Sequence, residues 1–422
     1  MPRLLLIAAT TGYQTRSFAA AAARVGADVT LATDRCHILE DPWRDRAIPI
    51  RFEAPRESAE LLAQAVRDLA IEGIAAVADR PTLIAALTAE KLGLSWHPAH
   101  AAAACRDKHK MRELFAEVGL PVPRSERIPI DCHPAAVSTR LLFPCVLKPL
   151  GLSGSRGVIR ANNAIQFLQA FERIRRILAQ PEIQRLHEDW NQAHIQVEQY
   201  IPGREFALEG LMTRGKLRTL AIFDKPDPLE GPFFEETLYV RPSRQPASVV
   251  RAISDTTRRA VHALGLHHGP IHAEMRVNKG GVFMLEIAAR PIGGLCARAL
   301  RFRIPGKREI TLEELIVLHA LGAMPERLEP ASAASGVMMI PVPREGVLES
   351  VSGVESAKAI TGIDDVVITA KQGERLVPLP EGSSYPGFVF ASGRNPAFVE
   401  SALRRAHREL RFDIVSILPV IA

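Results

Sequence analysis

The first hundred residues alternate between short apolar runs and longer segments with helical periodicity. The predicted strands are residues 3–10 (RLLLIAAT), 28–33 (DVTLAT) and 73–79 (GIAAVAD), and the predicted helices are residues 14–27 and 58–73. Alternation of this kind favours a parallel sheet with helices packed on both sides. We therefore predict an N-terminal α/β domain over residues 1–107.

The pattern changes near residue 106, where a helix ends at Gly119 and two prolines follow. Beyond it, strand-like runs follow one another in a way typical of an α+β domain with a mostly antiparallel sheet, which we assign to residues 108–323. The predicted strands there are residues 143–149, 157–161, 194–201, 205–213, 216–225 and 233–240, and the predicted helices are 164–180, 248–265 and 311–322. A small-residue stretch at 330–336 (PASAASG) indicates a linker, and residues 324–422 are predicted to form a β-rich subdomain.

One predicted hairpin, at residues 269–291, carries charged residues on apolar strands. Because alternate residues of a strand share a face, His272, Glu274 and Arg276 point to one side. If residues 279–281 (Lys-Gly-Gly) form a three-residue turn, Glu274 lies directly opposite Glu286 on the second strand. A four-residue turn would shift this register by one position.

Opposed residues on paired strands have Cβ atoms about 4.5–5.5 Å apart, where like charges are destabilising. Two such carboxylates require a cation between them, or one of them must hold a proton. Magnesium is commonly held by one or two carboxylates together with nucleotide phosphates. The alternative is a solvent-facing acidic pair whose charge is balanced by Arg276 and Arg290.

Two loops have the composition of nucleotide-binding segments. Residues 150–157 (LGLSGSRG) follow Lys148, and their glycines and serines can fold over phosphate oxygens while the lysine adds a positive charge. The order differs from the Walker pattern, because the lysine precedes the glycines. In VEQYIPGREF (197–206), residues 199–201 can offer backbone groups to a base and Glu205 can accept from a ribose. Ordinary surface turns remain the alternative for both loops.

Composition excludes several other classes of protein. The 422 residues are 47% hydrophobic and 24% charged, as in an ordinary globular protein, and the five scattered cysteines (36, 105, 132, 145, 296) predict a reducing compartment, the cytoplasm. The net charge is +6, but the basic clusters lack stacking aromatic residues. We therefore expect neither nucleic acid nor a membrane as a partner. The turn TTGYQ (10–14) is not a dinucleotide fingerprint, which leaves a nicotinamide cofactor unsupported.

The order of these segments is more informative than any one of them. A lysine in RDKHK, a lysine before a Gly/Ser loop, VEQYIPGRE, the Asp-Lys pair at 224–225 and the acidic hairpin together resemble the ATP-grasp superfamily, specifically its ATP-dependent carboxylate–amine ligases, as in L-amino acid ligases. The resemblance runs from residue 1 to about residue 320 and more loosely beyond. It implies that ATP is held between two α+β subdomains of the central domain, behind the N-terminal domain.

The resemblance implies roles for particular residues. Lys108 and Lys148 would contact phosphates, residues 153–157 would close over them, Glu274 and Glu286 would bind Mg²⁺ (or Mn²⁺), and Arg290 would hold the substrate carboxylate. The full set of nucleotide-binding candidates is Lys108, Lys148, Ser153, Gly154, Ser155, Gly157, Glu198, Tyr200, Ile201 and Glu205, and the catalytic candidates are Arg290, Lys225 and His272. For His272 a structural hydrogen-bonding role is an equal alternative. Ala288 departs from the family pattern, in which an asparagine ligand is common, and this puts a second magnesium ion in doubt.

The implied reaction joins a carboxylate to an amine through an acyl phosphate, with ATP as phosphate donor. The substrates would be small, amino-acid-like molecules. A homodimer is also compatible with the resemblance, because dimers are common among such proteins. Two alternatives stay open at this point. One is a bicarbonate-activating carboxylase of the biotin or purine type, and the other is an ATP-binding protein without turnover.

Overall fold

The computed structural model describes residues 1–9, 14–34, 47–184 and 193–416, which form five sheets with helices packed around them. Residues 10–13 of the turn after the first strand, and Cys36, lie outside the described residues. Within the described ranges, no helix combines the length and the apolar character needed to cross a bilayer.

The N-terminal part has the predicted parallel sheet. Its strands are β1 (Arg3–Ala8), β2 (Asp28–Thr33), β3 (Ile48–Pro49) and β4 (Ile71–Val77), in the order β3-β2-β1-β4 with every pair parallel. Its helices are α1 (Thr15–Val25), α2 (Pro55–Ala65), α3 (Pro81–Leu92) and α4 (Ala99–Arg106). The predicted helix over 58–73 is too long, because a turn follows Ala65 and Ile71 already pairs with Arg3 in the sheet.

A small antiparallel sheet follows, in the order β5-β8-β6-β7. Its elements are α5 (Lys108–Glu117), β5 (Ser125–Pro129), α6 (Pro134–Ser138), β6 (Cys145–Pro149), β7 (Ile159–Ala161), α7 (Ala164–Leu178), α8 (Pro181–Gln184) and β8 (His194–Gln199). The carboxylate of Asp107 caps α5 by accepting from the amides of His109 and Lys110, and so separates α5 from α4. Since the strands of this sheet pair antiparallel, the predicted α+β character is confirmed.

An eight-stranded antiparallel sheet forms the largest layer, in the order β13-β12-β9-β10-β11-β17-β21-β19. Its strands are β9 (Arg204–Thr213), β10 (Lys216–Asp224), β11 (Leu238–Arg241), β12 (Gly269–Asn278), β13 (Gly281–Ala288), β17 (Ala334–Met339), β19 (Ile363–Ile368) and β21 (Gly387–Gly393). Three of them come from the β-rich C-terminal part, which continues the central sheet through the pairing of β11 with β17.

Two predicted segments of this sheet are corrected by the structure. The linker predicted at 330–336 is wrong at its end, because Ala334 to Gly336 are fully paired and buried in β17. The strand predicted over 233–240 begins only at Leu238. The residues before it leave the ladder, and this places the side chain of Glu236 in a buried polar cluster instead of on a sheet face.

The remaining elements complete the C-terminal half. Strands β14 (Arg301–Arg303), β15 (Glu309–Thr311) and β16 (Glu329–Pro330) form one small sheet, and β18 (Gly346–Ser352), β20 (Arg375–Leu376) and β22 (Arg411–Val415) form another. The helices are α9 (Ala247–Ala263), α10 (Leu312–Ala320), α11 (Val354–Lys358) and α12 (Pro396–Glu409), with a 3₁₀ turn at Cys296–Ala299.

The N-terminal sheet packs directly on the rest of the chain. Leu4 and Phe18 share one buried apolar cluster with Phe223 and Phe388 of the large sheet and with Leu315 of α10. At Gly73 of β4 the approach is so close that an added Cβ would lie 2.6 Å from the carbonyl oxygen of Ala320. A close-packed contact of this kind holds β4 in place against the central part near the start of the strand.

A group of histidines lies at the same junction. His97 accepts from the amide of His267 at Nδ1 (3.2 Å), and its Nε2 lies 3.1 Å from the carbonyl oxygen of Pro270. The rings of His268 and His319 stack with centroids 4.1 Å apart. Burial lowers the pKa of His97 to about 3 and that of His319 to about 4, so both imidazoles are neutral in the folded protein at neutral pH.

We expect this histidine group to make the fold sensitive to acid. The pKa of His97 is lower in the folded state than in the unfolded one, so its stabilising contribution is complete above pH 6.5 and is lost as the pH falls below that value. Between pH 7 and 4.5 the loss from His97 amounts to about 2–3 kcal/mol. His97→Gln should therefore flatten the dependence of the free energy of unfolding on pH, measured by urea denaturation at several pH values. The exposed His262→Gln is the control, and equal slopes in the two variants would contradict the assignment.

Candidate functional site

A cavity of about 360 Å³ opens where the N-terminal part, the small sheet and the large sheet meet. Thirteen of the fifteen residues singled out from the sequence line it: Lys108, Lys148, Ser153, Gly154, Ser155, Glu198, Tyr200, Ile201, Glu205, His272, Glu274, Glu286 and Arg290. Gly157 and Lys225 are not among the described residues that line it. Gly157 adjoins the lining loop, and Lys225 lies buried behind the cavity wall.

The acidic hairpin has the predicted pairing but not the predicted turn. Glu274 lies opposite Glu286, as expected. The three-residue turn is wrong, because Asn278 pairs with Gly281 around a two-residue turn. The register then shifts between Glu274 and Met275, where Leu285 is the extra residue of a β-bulge. The bulge therefore compensates for the shorter turn and restores the opposition of the two carboxylates.

Behind this hairpin, one ammonium group holds three carboxylates together. Lys225 Nζ lies 2.8 Å from Glu205 Oε1, 2.6 Å from Glu236 Oε1 and 3.0 Å from Glu274 Oε1, and its side chain is 2% exposed. Tyr239 donates its hydroxyl hydrogen to Glu236 at 2.8 Å. Because a buried carboxylate is costly unless it is paired, Lys225 is what allows these acids to be buried side by side.

The charges of this cluster raise the pKa of some of its members and lower the pKa of others. Burial opposes a charged lysine, but the three carboxylates hold the pKa of Lys225 well above its usual value. Burial also opposes ionisation of Glu274, yet Lys225 and His272 keep its pKa well below the usual range. For Glu236, burial and then the Glu274 carboxylate raise the pKa to about 7. Glu274 is thus a carboxylate at neutral pH, while Glu236 can exchange a proton there.

His272 connects this group to a fully buried acid. Its Nδ1 lies 3.1 Å from Glu209 Oε2, and its Nε2 lies 3.5 Å from Glu274 Oε1. Burial lowers the pKa of an imidazole, but Glu209 and Glu274 outweigh this and raise the pKa of His272 to about 9. Glu209 also accepts from the amide of Ile292 at 3.2 Å. His272 is therefore an imidazolium that ties the hairpin to the chain just beyond Arg290.

A second buried acid positions Lys148 on the opposite wall. Glu198 Oε2 lies 2.7 Å from Lys148 Nζ, and its Oε1 lies 2.8 Å from Arg112 Nη2. These cations outweigh burial and lower the pKa of Glu198 to about 2. Lys108 lies across the cavity, with its Nζ 3.4 Å from the carbonyl oxygen of Leu152 and 3.9 Å from Glu286 Oε2. Both lysines therefore face the cavity beside the Gly/Ser loop.

The segment predicted to meet a base keeps more of its pairing than expected. The amide of Tyr200 donates to the carbonyl oxygen of Pro144 at 3.1 Å, and the carbonyl oxygen of Ile201 accepts from Arg276 Nη1 at 2.9 Å. Arg276 also donates through Nε to Glu205 at 2.9 Å. The Tyr200 amide, the Ile201 carbonyl oxygen and Glu205 are thus already hydrogen-bonded within the chain. A ligand there would contact the remaining atoms of Tyr200 and Ile201.

The Gly/Ser loop, residues 150–157, has a left-handed backbone at three of its eight positions. Gly154, Ser155 and Gly157 have φ values of 64°, 57° and 71°. At Gly157 an added Cβ would lie 2.6 Å from Pro149 Cγ, so this position has no space for a larger residue. These left-handed residues turn the chain sharply, and the amide of Val158 donates to the carbonyl oxygen of Ser155 at 3.1 Å.

Arg290 lies at the opposite end of the cavity and pairs with Asp79, which follows β4. Its Nε and Nη2 donate to the two carboxylate oxygens of Asp79 at 2.7 and 3.0 Å. Although burial opposes it, Arg290 lowers the pKa of Asp79 below its usual value. Ala288, in the same wall, is buried and presents a methyl group, which cannot ligate a metal.

Three functional residues were missed by the sequence reasoning. Asp79 is signalled by its place just after a strand of a parallel sheet, where binding groups collect. Glu236 and Arg112 have no such signal, because an isolated acid before a strand and an arginine within a helix are common. Glu236 belongs to the group of three acids (with Glu205 and Glu274) whose oxygens lie within 4.8 Å of one another.

The residues present fit a divalent cation at this wall of the cavity. Glu274 is ionised, and Glu286 opposes it with 31% of its side chain exposed towards the cavity. Hard divalent cations such as Mg²⁺ take oxygen ligands of this kind. A divalent ion bound in front of Glu274 would give this carboxylate a second positive partner, besides the lysine behind the wall.

Comparisons with known proteins agree with this geometry. Family models match three parts of the chain: ATP-grasp N-terminal domain at residues 19–95, ATP-grasp domain at 141–299 and L-amino acid ligase C-terminal domain 2 at 338–415. The crystal structure of L-amino acid ligase from Bacillus licheniformis is similar over 99% of both chains, with 26% identity and a TM-score of 0.78.

For two curated relatives, the match covers only part of the relative's own length. An uncharacterized protein of Sinorhizobium fredii is 22% identical over 310 residues, covering 74% of this chain and 61% of the relative. Alanine–anticapsin ligase of Bacillus subtilis is 28% identical over 221 residues, covering 48% of this chain and 45% of the relative. The match thus spans about half to three-fifths of these relatives. Together with the fold and the cavity, these likenesses identify the chain as a member of the ATP-grasp superfamily that resembles its ATP-dependent carboxylate–amine ligases.

Proposed function

We propose that the protein is an ATP- and Mg²⁺-dependent ligase that joins a carboxylate to an amine, on amino-acid-like substrates. The observation that carries this proposal is the content of one cavity. Lys108 and Lys148 line it beside a Gly/Ser loop, the opposed pair Glu274 and Glu286 forms another wall, and Arg290 lies at its inner end. These are groups that bind phosphate, a divalent cation and a carboxylate, respectively.

The ligase reading is favoured over a bicarbonate-activating carboxylase by the C-terminal part. Residues 338–415 match an L-amino acid ligase domain, and this part of the chain contributes Tyr385 and Ser383 to the cavity. An apolar and aromatic wall suits a substrate with a side chain better than it suits bicarbonate. Ile292, Met339 and Tyr385 supply that wall.

In the first step of the proposed reaction a substrate carboxylate attacks the γ-phosphorus of ATP, and ADP leaves. Lys148, oriented by Glu198, and Lys108, oriented by the Leu152 carbonyl, would bind phosphate oxygens without moving far. Arg290 would hold the substrate carboxylate, with Asp79 keeping the guanidinium in place. Groups fixed in advance in this way stabilise developing charge at little reorganisation cost.

Glu274 and Glu286 would hold Mg²⁺, with Mn²⁺ as an alternative ion. When bound, the ion neutralises charge on the phosphates and aligns them. Lys225 acts through Glu274 in this proposal, because its ammonium group is committed to three carboxylates and is buried behind the cavity. It is a positioning residue, which revises the catalytic role that the resemblance implied.

In the second step an amine attacks the carbonyl carbon of the acyl phosphate, and phosphate leaves. The amine loses a proton as the carbon–nitrogen bond forms, and the departing phosphate takes it up, so that the products are the amide and hydrogen phosphate. The chain thus has to hold two small substrates next to each other and keep water from the acyl phosphate. Residues from the N-terminal, central and C-terminal parts of the chain line the cavity and would surround the two substrates.

The direct test is a substrate screen with purified protein. ATP and Mg²⁺ are incubated with pairs of amino acids, or with bicarbonate, while phosphate release and product mass are followed. We expect phosphate and amide product in equal amounts, and neither without a carboxylate substrate. Bicarbonate-dependent phosphate release without an amide would favour the carboxylase. Nucleotide binding without ADP formation across the panel would favour a protein without turnover.

Glu286→Gln tests the metal-binding role. The change keeps the size of the side chain but removes a charge, so Mg²⁺-dependent phosphate release should fall by about a hundredfold or more. Stability should change by less than about 1 kcal/mol, since Glu286 is partly exposed. The exposed Glu349→Gln is the matched control. Unchanged turnover in Glu286→Gln would exclude this carboxylate as a ligand.

Lys225→Met tests the positioning role. Removing the cation leaves Glu236 without a cationic partner among the described residues and takes one from Glu205 and Glu274, which should lower the free energy of unfolding by about 3–5 kcal/mol in urea denaturation. Added Mg²⁺ or Mn²⁺ should restore part of the loss, because three neighbouring carboxylates can bind a cation. Lys279→Met, at the exposed turn of the hairpin, is the control. Equal stability of the two variants would show that Lys225 does not hold the cluster.

A further inference from the structure

The C-terminal part of the chain contributes a segment that touches the Gly/Ser loop. Residues 378–385 (PLPEGSSY) connect β20 to β21, and we name them the capping segment. Ser383 and Tyr385 of this segment line the same cavity as Ser153 to Ser155. The capping segment and the Gly/Ser loop therefore form one wall, although they are more than two hundred residues apart in the chain.

Direct contacts join the two segments. The amide of Gly157 donates to the carbonyl oxygen of Pro380 at 2.9 Å. At Gly154, an added Cβ would lie 3.6 Å from Cβ and from the carbonyl oxygen of Ser383, which is van der Waals distance. The backbone of the Gly/Ser loop is thus supported at both glycines by the capping segment.

A bidentate ion pair holds the capping segment to the small sheet. Arg173 of α7 donates through Nε and Nη2 to the two carboxylate oxygens of Glu381, at 2.6 and 2.8 Å. The Arg173 guanidinium also lies over the ring of Phe233, 4.9 Å from its centroid. Two parallel hydrogen bonds fix direction as well as distance, so the pair sets where Pro380 meets the loop.

The capping segment has its own internal order. The amide of Gly382 donates to the carbonyl oxygen of Pro378 at 2.9 Å, which closes a turn around Glu381. Helix α7 packs on β6, the strand that carries Lys148. A chain of contacts therefore runs from Lys148 through α7 and Arg173 to the capping segment, and back to Gly157.

We propose that the capping segment is part of the nucleotide site and that the Arg173–Glu381 pair positions the Gly/Ser loop over the phosphates. This proposal rests on the proposed ligase function for its nucleotide. Arg173 and Glu381 are positioning residues, since neither lines the cavity among the described residues. Weakening the pair should loosen the loop, weaken ATP binding and admit water to the acyl phosphate.

The first experiment needs no ligand. Glu381→Ala removes the pair, and hydrogen–deuterium exchange of peptides covering residues 150–158 reports on the Gly157 amide directly. We expect exchange there to be about two- to fivefold faster, the size of effect that a partly exposed ion pair supports. Glu345→Ala, which breaks the exposed pair with Arg375 (2.6 Å), is the matched control and should leave this region unchanged.

The second experiment measures the reaction. Glu381→Ala should raise KM for ATP about two- to fivefold and increase phosphate released per amide formed. The exchanged pair Arg173→Glu with Glu381→Arg should recover at least half of each loss, which a fold defect would not permit. If Glu381→Ala matches Glu345→Ala in exchange and in KM, the proposal is overturned. If exchange rises in Glu381→Ala but the wild type binds no MgATP, the tie to the loop is upheld and the ligase function is overturned.

Discussion

The site depends on one buried ion cluster, in which the Lys225 ammonium group contacts Glu205, Glu236 and Glu274. Each acid comes from a different stretch of the large sheet: the start of β9, the approach to β11 and the middle of β12. Because these strands are close neighbours in the sheet, their side chains meet without any long excursion of the backbone. Without the lysine, desolvation of three carboxylates would oppose that strand order.

The same principle recurs on the other walls of the cavity. Glu198 holds Lys148, and Asp79 holds Arg290, so each cation expected to meet a substrate already has an acidic partner. These partners fix orientation, and the paired groups keep a face towards the cavity. Such preorganisation is the main resource for a reaction in which the protein supplies no nucleophile and works by placing charges.

The N-terminal, central and C-terminal parts of the chain all line the cavity. The N-terminal part supplies Asp79, the small sheet supplies Lys148 and the Gly/Ser loop, and the C-terminal part supplies Tyr385. Because the large sheet continues from β11 into β17, strand β21, which follows Tyr385, belongs to the same sheet as the acidic hairpin. Met339 of the apolar wall and Glu274 of the acidic wall therefore belong to one sheet.

The sequence by itself determined the alternation of strands and helices and the face of the hairpin that carries Glu274, because both follow from the spacing of apolar residues. The opposition of Glu274 to Glu286 was predicted through a three-residue turn that the chain does not form. Even there, the two-residue turn and the bulge at Leu285 came from the sheet. Only the tertiary structure decided that Arg290 pairs with Asp79 across 211 positions, and that Lys225 and Glu236 meet behind the cavity. Contacts of this kind depend on which strands are neighbours in the sheet, and residue spacing along the chain does not indicate that order.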